Sequence, residues 1–350
     1  MVLTVALLAL PEVTASTLYG LLDLFSSPGR DFSFMTRGVA GEQLMRPCVV
    51  ARSRNPVPAA NGVTVQPDHD FTSCPRPDIV CVPDFFVVPG EIVSGRYEAE
   101  VRWLRRVYDQ GAMLASVCAG AVLLGEAGLL SGREATIHWA YVATLTNNYP
   151  GVKVRPNKSL VLSGEADRIV MGGGGTSWQD LALYLIARFI GIREASEVAR
   201  VYTLQWHDHG QQPFATLASV RRTNDVAIDR CQDWATFNYK ARSPVSVMIK
   251  QSGLPERSFM RRFLKATGLT ALDYIHALRL EEAKRLLETD DRAVEAIANE
   301  VGYEDASFFG RLFRRKVGLT PAQYRQRFGS LHRALIAGQQ LTAQATTRTQ

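Results

Sequence analysis

The chain has 350 residues, 21% of which are charged, and a formal net charge of +6. This length predicts two or three domains and excludes a small protein that depends on disulfide or metal staples. Residues 241–329 carry 16 Lys and Arg against 11 Asp and Glu, whereas residues 1–240 carry 22 against 23. The basic surplus therefore lies near the C-terminus, where it favours a phosphate-rich partner.

The cysteines and the N-terminal segment indicate the cellular compartment in which the chain is expected. The five cysteines are odd in number, scattered and without a C-x-x-C pair, which predicts a reduced, cytoplasmic chain without a zinc site. The apolar run 2–10 lacks a basic segment before it and stops at Pro11 and Glu12. It is interpreted as a buried first strand and not as a signal peptide or membrane span.

Short apolar runs alternate with amphipathic stretches from residue 1 to about 195. This alternation predicts an α/β, doubly wound, mostly parallel sheet of flavodoxin-like form with helices on both faces. The predicted strands are 2–10, 32–35, 79–83, 112–117 and 169–171, and the predicted helices are 98–108, 119–127 and 178–190.

Cys118 lies between a predicted strand and a predicted helix. A thiol at such a turn is near a helix N-terminus and near backbone amides, which suits acyl transfer. Three interpretations stay open: an unreactive thiol that lines a pocket, a catalytic nucleophile and a redox sensor.

Two segments beside this turn resemble the PfpI-type branch of the class I glutamine amidotransferase-like superfamily. They are Ser-Val-Cys-Ala-Gly-Ala (116–121) and Gly-Leu-Leu-Ser-Gly-Arg-Glu-Ala-Thr-Ile-His-Trp (128–139). The resemblance implies a domain over about residues 1–190 and places His138 near Cys118. It also exposes departures: Ala119 stands where catalytic members have histidine, the first loop lacks its acidic residue, and Asp84 and Phe85 replace glycines.

These departures leave Cys118 and His138 without an orienting third group, so we predict that the domain is not an enzyme. The carboxyl ends of the strands form the ligand pocket in this fold. We expect Cys118, His138, Glu12 and Asp84 to line a small-molecule pocket there. The glycine run 172–175 lacks the Lys-Ser/Thr of a P-loop, and His207 and His209 lack further ligands, so no cofactor and no metal are predicted.

An internal repeat dominates the C-terminal part. Residues 259–274 and 309–324 share an aromatic, basic and glycine pattern at an offset of fifty residues. Such a repeat indicates two copies of one supersecondary unit. Each copy reads as a helix, a glycine turn and a second helix with phenylalanines at i and i+4, which is helix-turn-helix geometry. The predicted helices are 225–240, 244–250, 255–266, 271–288, 294–301 and 305–317.

Residues 242–328 resemble the AraC/XylS family of transcription regulators. The resemblance lies in three segments, 253–263, 278–287 and 297–315, the last of which reads Ile-Ala-Asn-Glu-Val-Gly-Tyr-Glu-Asp-Ala-Ser-Phe-Phe-Gly-Arg-Leu-Phe-Arg-Arg. It implies that two units enter successive major grooves of duplex DNA. Together with the N-terminal resemblance, it matches the subgroup of AraC-type regulators that carries a PfpI-type domain.

The family pattern, carried over by position, gives candidate contacts with DNA. An arginine can grip guanine in a bidentate manner, which makes the arginines the strongest candidates for contacts with bases. Base-edge candidates are Arg257, Met260 and Arg261 in the first unit and Ala306, Ser307 and Arg311 in the second. Phosphate-contact candidates are Arg262, Lys265, Arg314 and Arg315, with Lys316 beside them.

The predicted organisation is a sensor and dimerisation domain at 1–195, a helical linker at 196–240, a DNA-binding domain at 241–329 and a disordered tail at 330–350. The predicted function is an effector-sensing transcription regulator, with activation favoured. The expected partners are an operator duplex, an unidentified small molecule, a second copy of the chain and RNA polymerase, with no membrane. Alternatives are a cysteine-dependent amidase or deglycase tethered to DNA, and a scaffold whose first domain only dimerises.

Overall fold

The structure is a computed structural model that describes residues 2–217, 223 and 225–336. It divides into two compact units, Met1–Gln212 and Pro213–Gln350. No helix in these described ranges is long and apolar enough to cross a bilayer.

The first unit alternates strands and helices along the chain. Its strands are β1 (Leu3–Leu8), β2 (Met45–Ala51), β3 (Val57–Pro58), β4 (Thr64–Val65), β5 (His69–Asp70), β6 (Ile79–Val82), β7 (Met113–Val117), β8 (Glu134–Ala135), β9 (Lys153–Val154), β10 (Leu160–Ser163) and β11 (Ile169–Gly172). Its helices are α1 (Ala15–Ser26), α2 (Asp31–Arg37), α3 (Glu98–Asp109), α4 (Gly120–Glu126), α5 (Val142–Asn148), α6 (Ser177–Phe189) and α7 (Ile192–Val201). Shorter 3-10 turns lie at Trp139–Tyr141 and Glu165–Asp167, and a third, Gln212–Phe214, begins at the last residue of this unit.

Seven of the strands form one sheet in the order β10-β11-β7-β6-β1-β2-β5. All neighbours pair parallel except β10 and β11. Along β1, Ala6 and Leu8 join one core layer while Val5 and Leu7 join the other. Because both faces are covered, β1 is apolar except at Thr4. The predicted doubly wound, mostly parallel α/β class is confirmed.

One predicted strand is wrong. Residues 32–35 lie in α2, where Phe34 and Met35 are exposed. A four-residue apolar run does not distinguish a strand from a helical turn, and here Gly38, at φ 72°, ends a short helix. The second strand of the chain is instead β2, which pairs with β1.

The second unit is helical. Its helices are α8 (Val226–Asn238), α9 (Pro244–Ser252), α10 (Glu256–Thr267), α11 (Ala271–Thr289), α12 (Val294–Glu300), α13 (Ala306–Val317) and α14 (Pro321–Phe328). The first part of α11 packs with Phe259 and Phe263, and its later part packs with Phe309 and Phe313. The long connecting helix is therefore shared by both helical cores, as the repeat pattern predicts.

The observed units differ in extent from the predicted domains. Val198 and Leu204 pack on the first unit, which extends beyond residue 195. Ile228 and Cys231 of α8 belong to the core of the second unit, although the prediction placed 196–240 in a linker. Residues 330–336 of the predicted disordered tail are helical, and 337–350, like 218–222 and 224 of the linker, lie outside the described residues.

Candidate functional site

Cys118 occupies a sharp turn between β7 and α4. Its φ of 53° lies in the left-handed region, and its backbone N–H donates to the carbonyls of Gly172 at 3.2 Å and Gly173 at 2.9 Å. A Cβ at Gly120 would lie 2.4 Å from the Val82 carbonyl oxygen, so glycine is needed for α4 to approach β6. The turn holds the Cys118 thiol at the carboxyl edge of the sheet.

Asp84 places its carboxylate beside this thiol. It follows β6, and its Oδ1 accepts from the Ala119 backbone N–H at 3.1 Å while its Oδ2 accepts from the Thr14 hydroxyl at 3.0 Å. Burial and the nearby Asp84 charge raise the pKa of Cys118 well above its usual value, although N–H groups of Ala119 and Gly175 act in the opposite direction. The thiol is therefore protonated at neutral pH and is a poor nucleophile.

His138 lies against the glycine turn 173–175, which also accepts a hydrogen bond from the Cys118 N–H. Its ring packs so closely on Gly174 that a Cβ there would lie 2.0 Å from the ring Cδ2. Its Nδ1 accepts from the Ala140 N–H at 3.2 Å, which leaves Nε2 as the protonated nitrogen of a neutral ring. Burial lowers the pKa of His138, so the neutral ring is favoured. The pair of Cys118 and His138 thus lacks the thiolate and imidazolium of an activated cysteine.

Glu12 lies outside this group. It has a φ of 68°, forms an ion pair with Arg96 at 2.6 Å, and lines a separate cavity of about 430 Å³. Tyr141 also lines that cavity, with its ring centroid 6.0 Å from that of His138. Of the four predicted pocket residues, Asp84 contacts the Cys118 turn, His138 packs on the neighbouring glycine turn, and Glu12 lines a separate cavity with Tyr141.

Gln211 supports the loop that carries His138 and was not predicted from the sequence. Its side-chain Oε1 accepts from the backbone N–H groups of Trp139 at 3.1 Å and Gly174 at 3.0 Å. Its Nε2 donates to the Ile137 carbonyl at 2.8 Å, and the residue is only 3% exposed. One buried amide therefore joins the His138 loop to the glycine turn 173–175. In sequence, the only signal is one polar residue within a polar stretch.

His207, four residues before Gln211, also holds this part of the chain against the first unit by hydrogen bonds. Its Nδ1 contacts the fully buried Asp180 carboxylate at 3.0 Å, and its Nε2 contacts the Thr176 hydroxyl at 3.1 Å. Its carbonyl accepts from Ser159 Oγ at 3.1 Å. His207 thus serves as a structural link, and the described residues include no group of three or more His, Cys, Asp or Glu side chains that could hold a metal ion.

Asp84→Asn is expected to accelerate alkylation of Cys118 by iodoacetamide about tenfold at pH 8. Removing the carboxylate charge lowers the thiol pKa, and one pKa unit corresponds to a tenfold change in thiolate at pH values below the pKa. The rate profile should also shift toward lower pH. Alkylation of each cysteine is followed by peptide mass spectrometry.

Asp78→Asn is the matched control because Asp78 precedes β6 at the opposite edge of the sheet and accepts from the Thr4 N–H at 2.8 Å. It should leave Cys118 unchanged. Equal rates in parent and Asp84→Asn would show that Asp84 does not govern the thiol.

The second candidate site consists of the exposed faces of α10 and α13. Phe259, Phe263, Phe309 and Phe313 are fully buried, and both helices end at left-handed glycines. Asp305 caps the start of α13, since its side chain accepts from the N–H groups of Ser307 and Phe308. Because the phenylalanines point inward, the opposite faces of both helices are presented to solvent.

Two exposed ridges follow i, i+4, i+7 spacing. The first ridge is Arg257, Arg261 and Leu264 on α10, and the second ridge is Ser307, Arg311 and Arg314 on α13. Leu264, which is 48% exposed, was not among the predicted contacts, although its spacing from Arg257 and Arg261 was a readable signal. Met260 and Ala306 are only partly exposed beside the ridges.

The phosphate candidates have different environments. Lys265, Arg314 and Arg315 are exposed. Arg262 donates to both oxygens of Asp225 at 2.7 Å, and Lys316 pairs with Asp273 at 3.0 Å. Arg262 thus ties α10 to the start of α8 within the protein.

The chain is similar to known proteins in both units. Residues 248–327 match a helix-turn-helix domain, and residues 35–155 match the DJ-1/PfpI family. The HTH-type transcriptional regulator CdhR of Pseudomonas aeruginosa is 29% identical over 284 residues, which cover 79% of this chain and 80% of CdhR. The HTH-type transcriptional regulator GlxA of Rhizobium meliloti is 28% identical over 65% of this chain and 69% of its own length.

An isonitrile hydratase of Pseudomonas putida is also similar. It is 30% identical over 191 residues, which cover 55% of this chain and 78% of the hydratase. This alignment is shorter than the one with CdhR, which spans most of both chains. The chain therefore combines an AraC-type helix-turn-helix domain with a DJ-1/PfpI domain, and over most of its length it is similar to transcriptional regulators.

Proposed function

We propose that this chain is a sequence-specific transcription regulator, and an activator, that binds an operator duplex and responds to a small effector. The observation that carries the proposal is the pair of exposed ridges on two helices of repeated architecture. Each ridge carries an arginine at the same repeat position, Arg261 or Arg311, which suits contact with guanine.

The two ridges would occupy successive major grooves. Grooves on one side of B-DNA recur every ~34–36 Å, and α11, which is packed into both helical cores, would maintain the spacing. The ridges differ at their last positions, where Leu264 of the first ridge corresponds to Arg314 of the second in the repeat. We therefore propose a direct, non-palindromic site that gives each bound chain a direction.

The first unit would act as the sensor. Asp84 offers a carboxylate and His138 a ring N–H beside a protonated thiol, which favours binding of a polar ligand over covalent catalysis. A ligand with N–H donors or a positive charge would match Asp84. The neighbouring cavity lined by Glu12 and Tyr141 offers room of about 430 Å³ beside it.

Gln211 would transmit ligand binding in the first unit to the chain segment that follows it. Its amide bridges the His138 loop and the glycine turn, and it lies one residue before the end of the first unit. A ligand that moves either wall would alter the support of this segment. Such a ligand influences DNA occupancy only if it binds two conformations with different affinity. A homodimer and contact with RNA polymerase complete the proposal.

Selection of full-length protein against random duplex DNA tests the proposed DNA reading. We expect enrichment of a non-palindromic motif with two information-rich blocks about 10–10.5 base pairs apart, centre to centre. The same selection with an Arg261→Ala, Arg311→Ala double variant is the control and should lose both blocks. Recovery of random sequence by the parent protein would contradict the proposal.

A further inference from the structure

Arg279 is a buried cation in the middle of α11 that takes no part in the two ridges. The residue is 8% exposed and forms no ion pair with a carboxylate of the described residues. Its Nε donates to the Tyr239 carbonyl at 2.8 Å, and its Nη2 donates to the Ala241 carbonyl at 3.0 Å. A buried charge is costly unless hydrogen bonds satisfy it, and these carbonyls belong to the segment between α8 and α9. Arg279 thus binds α11 to the start of the first helix-turn-helix unit.

The same guanidinium also meets the second helix-turn-helix unit. Its central carbon lies 5.2 Å from the centroid of the Tyr303 ring, within the range of a cation–π contact. Tyr303 follows Gly302 in the turn between α12 and α13. A Cβ at Gly302 would lie 3.1 Å from the guanidinium carbon, so glycine permits this close approach. We call the contact of residues 239–241, Arg279 and 302–303 the seam.

Two more contacts lie along the seam. Lys240 forms an ion pair with Glu300, the last residue of α12. His276, which precedes Arg279 on α11, stacks on the Tyr303 ring with the centroids 5.8 Å apart, and its Nδ1 contacts the Tyr303 hydroxyl at 2.9 Å. Both members of the ion pair are exposed, and exposed pairs contribute little. The buried Arg279 is therefore the principal connection across the seam.

The apolar contacts of the two helix-turn-helix units meet only on α11 among the described residues. The apolar residues around Phe259 and those around Phe309 form separate clusters, and α11 contributes to both. A single helix between two clusters sets their distance but still allows them to bend and twist relative to each other. The seam joins them a second time, away from the axis of α11, through segments that lead into α9 and α13.

We propose that Arg279 is a positioning residue that sets the spacing and relative rotation of α10 and α13, and hence the spacing of the two operator halves. This inference rests on the proposed DNA reading. Successive grooves must be entered in phase, because one base pair more or less turns the next groove by about 34–36°. The planar guanidinium suits this role, since its donors point in fixed directions toward two carbonyls. The buried Arg279 acts through the seam and not through contact with DNA.

Distance measurements on the full-length protein without DNA test the seam directly. Spin labels on ketone-bearing unnatural residues at positions 264 and 314, the last positions of the two ridges, report the separation of α10 and α13 by pulsed electron paramagnetic resonance. We expect a narrow distance distribution in the parent and a broader one in Arg279→Met. Arg279→Lys should also broaden it, because an ammonium keeps the charge but lacks the planar fork. Equal widths in the parent and both variants would overturn the proposal.

Lys284→Met is the matched control. Lys284 is also a buried cation on α11, only 7% exposed, and its Nζ donates at 2.9 Å to the Ala215 carbonyl, which lies outside the seam. It also pairs with Glu281 at 3.4 Å. Its replacement should lower stability but leave the distance distribution as narrow as in the parent. Thermal unfolding compares the stability of the variants, and Arg279→Lys decides the proposal if Arg279→Met does not fold.

Selection against random duplex DNA measures the consequence for reading. Arg279→Met should recover the same two sequence blocks as the parent, but over a wider range of spacings. Its preference for the parent's spacing over one that is a base pair longer should fall about 2- to 30-fold. An unchanged spacing preference would contradict the proposal. Recovery of random sequence by the parent would instead remove the proposed DNA reading, and the distance distributions would then decide whether Arg279 orders the two helices.

Discussion

Replacing Arg311 with alanine is expected to reduce the preference for the operator over random DNA by about 5- to 150-fold. The guanidinium projects from the second ridge, and loss of a bidentate contact with guanine removes about 1–3 kcal/mol of discrimination. Arg261→Ala should have the same effect at the other half of the site. Folding should be unaffected because both side chains are exposed and oppose the buried phenylalanines.

Competition binding across a series of salt concentrations measures this effect. Any lost positive charge weakens binding to all DNA, whereas a lost base contact lowers the ratio of specific to random binding. Arg285→Ala is the matched control, since Arg285 lies on α11, is exposed and pairs with Glu282 at 2.6 Å. An unchanged ratio in Arg311→Ala and Arg261→Ala would contradict the base-reading assignment.

Gln211→Ala is expected to lower the free energy of unfolding of the first unit by about 2–4 kcal/mol. Truncation leaves the N–H groups of Trp139 and Gly174 without their acceptor and the Ile137 carbonyl without its donor. Buried polar groups that lose their partners account for the cost. Gln211→Glu should also destabilise, because it sets a carboxylate against the Ile137 carbonyl.

Urea unfolding followed by tryptophan fluorescence measures the loss, since four of the five tryptophans are in the first unit. Gln66→Ala is the matched control because Gln66 is exposed and donates to the Arg54 carbonyl at 2.9 Å. It should change the free energy of unfolding by less than about 0.5 kcal/mol. Equal stability of Gln211→Ala and the parent would show that water replaces the amide without cost.

The helices of the repeat were readable because their signals are local. Phenylalanines at i and i+4, left-handed glycines and the Asp305 cap all act within one or two turns. The strands 79–83, 112–117 and 169–171 were readable because a sheet covered on both faces requires continuous apolar runs. The strand predicted at 32–35 failed because four apolar residues fit a helical turn equally well.

The pocket was harder to read because its parts are distant in sequence. Asp84 appeared only as a departure from a glycine pattern, yet it contacts Thr14 across 70 residues and Ala119 across 35. Gln211 reaches Trp139 across 72 residues. Hydrogen bonds of this kind depend on which strand ends meet, and no periodicity in the chain encodes that.

The sequence by itself determined the two kinds of unit, the class of the sheet, the helix pairs and the turn at Cys118, because period, caps and glycines act over short distances. Only the tertiary structure decided that burial, together with the charge of Asp84, keeps the Cys118 thiol protonated and that Glu12 lines a separate cavity. The physical reason is that burial and charge at each group arise from side chains on other elements. Sheet order brings those elements together, and local pattern does not.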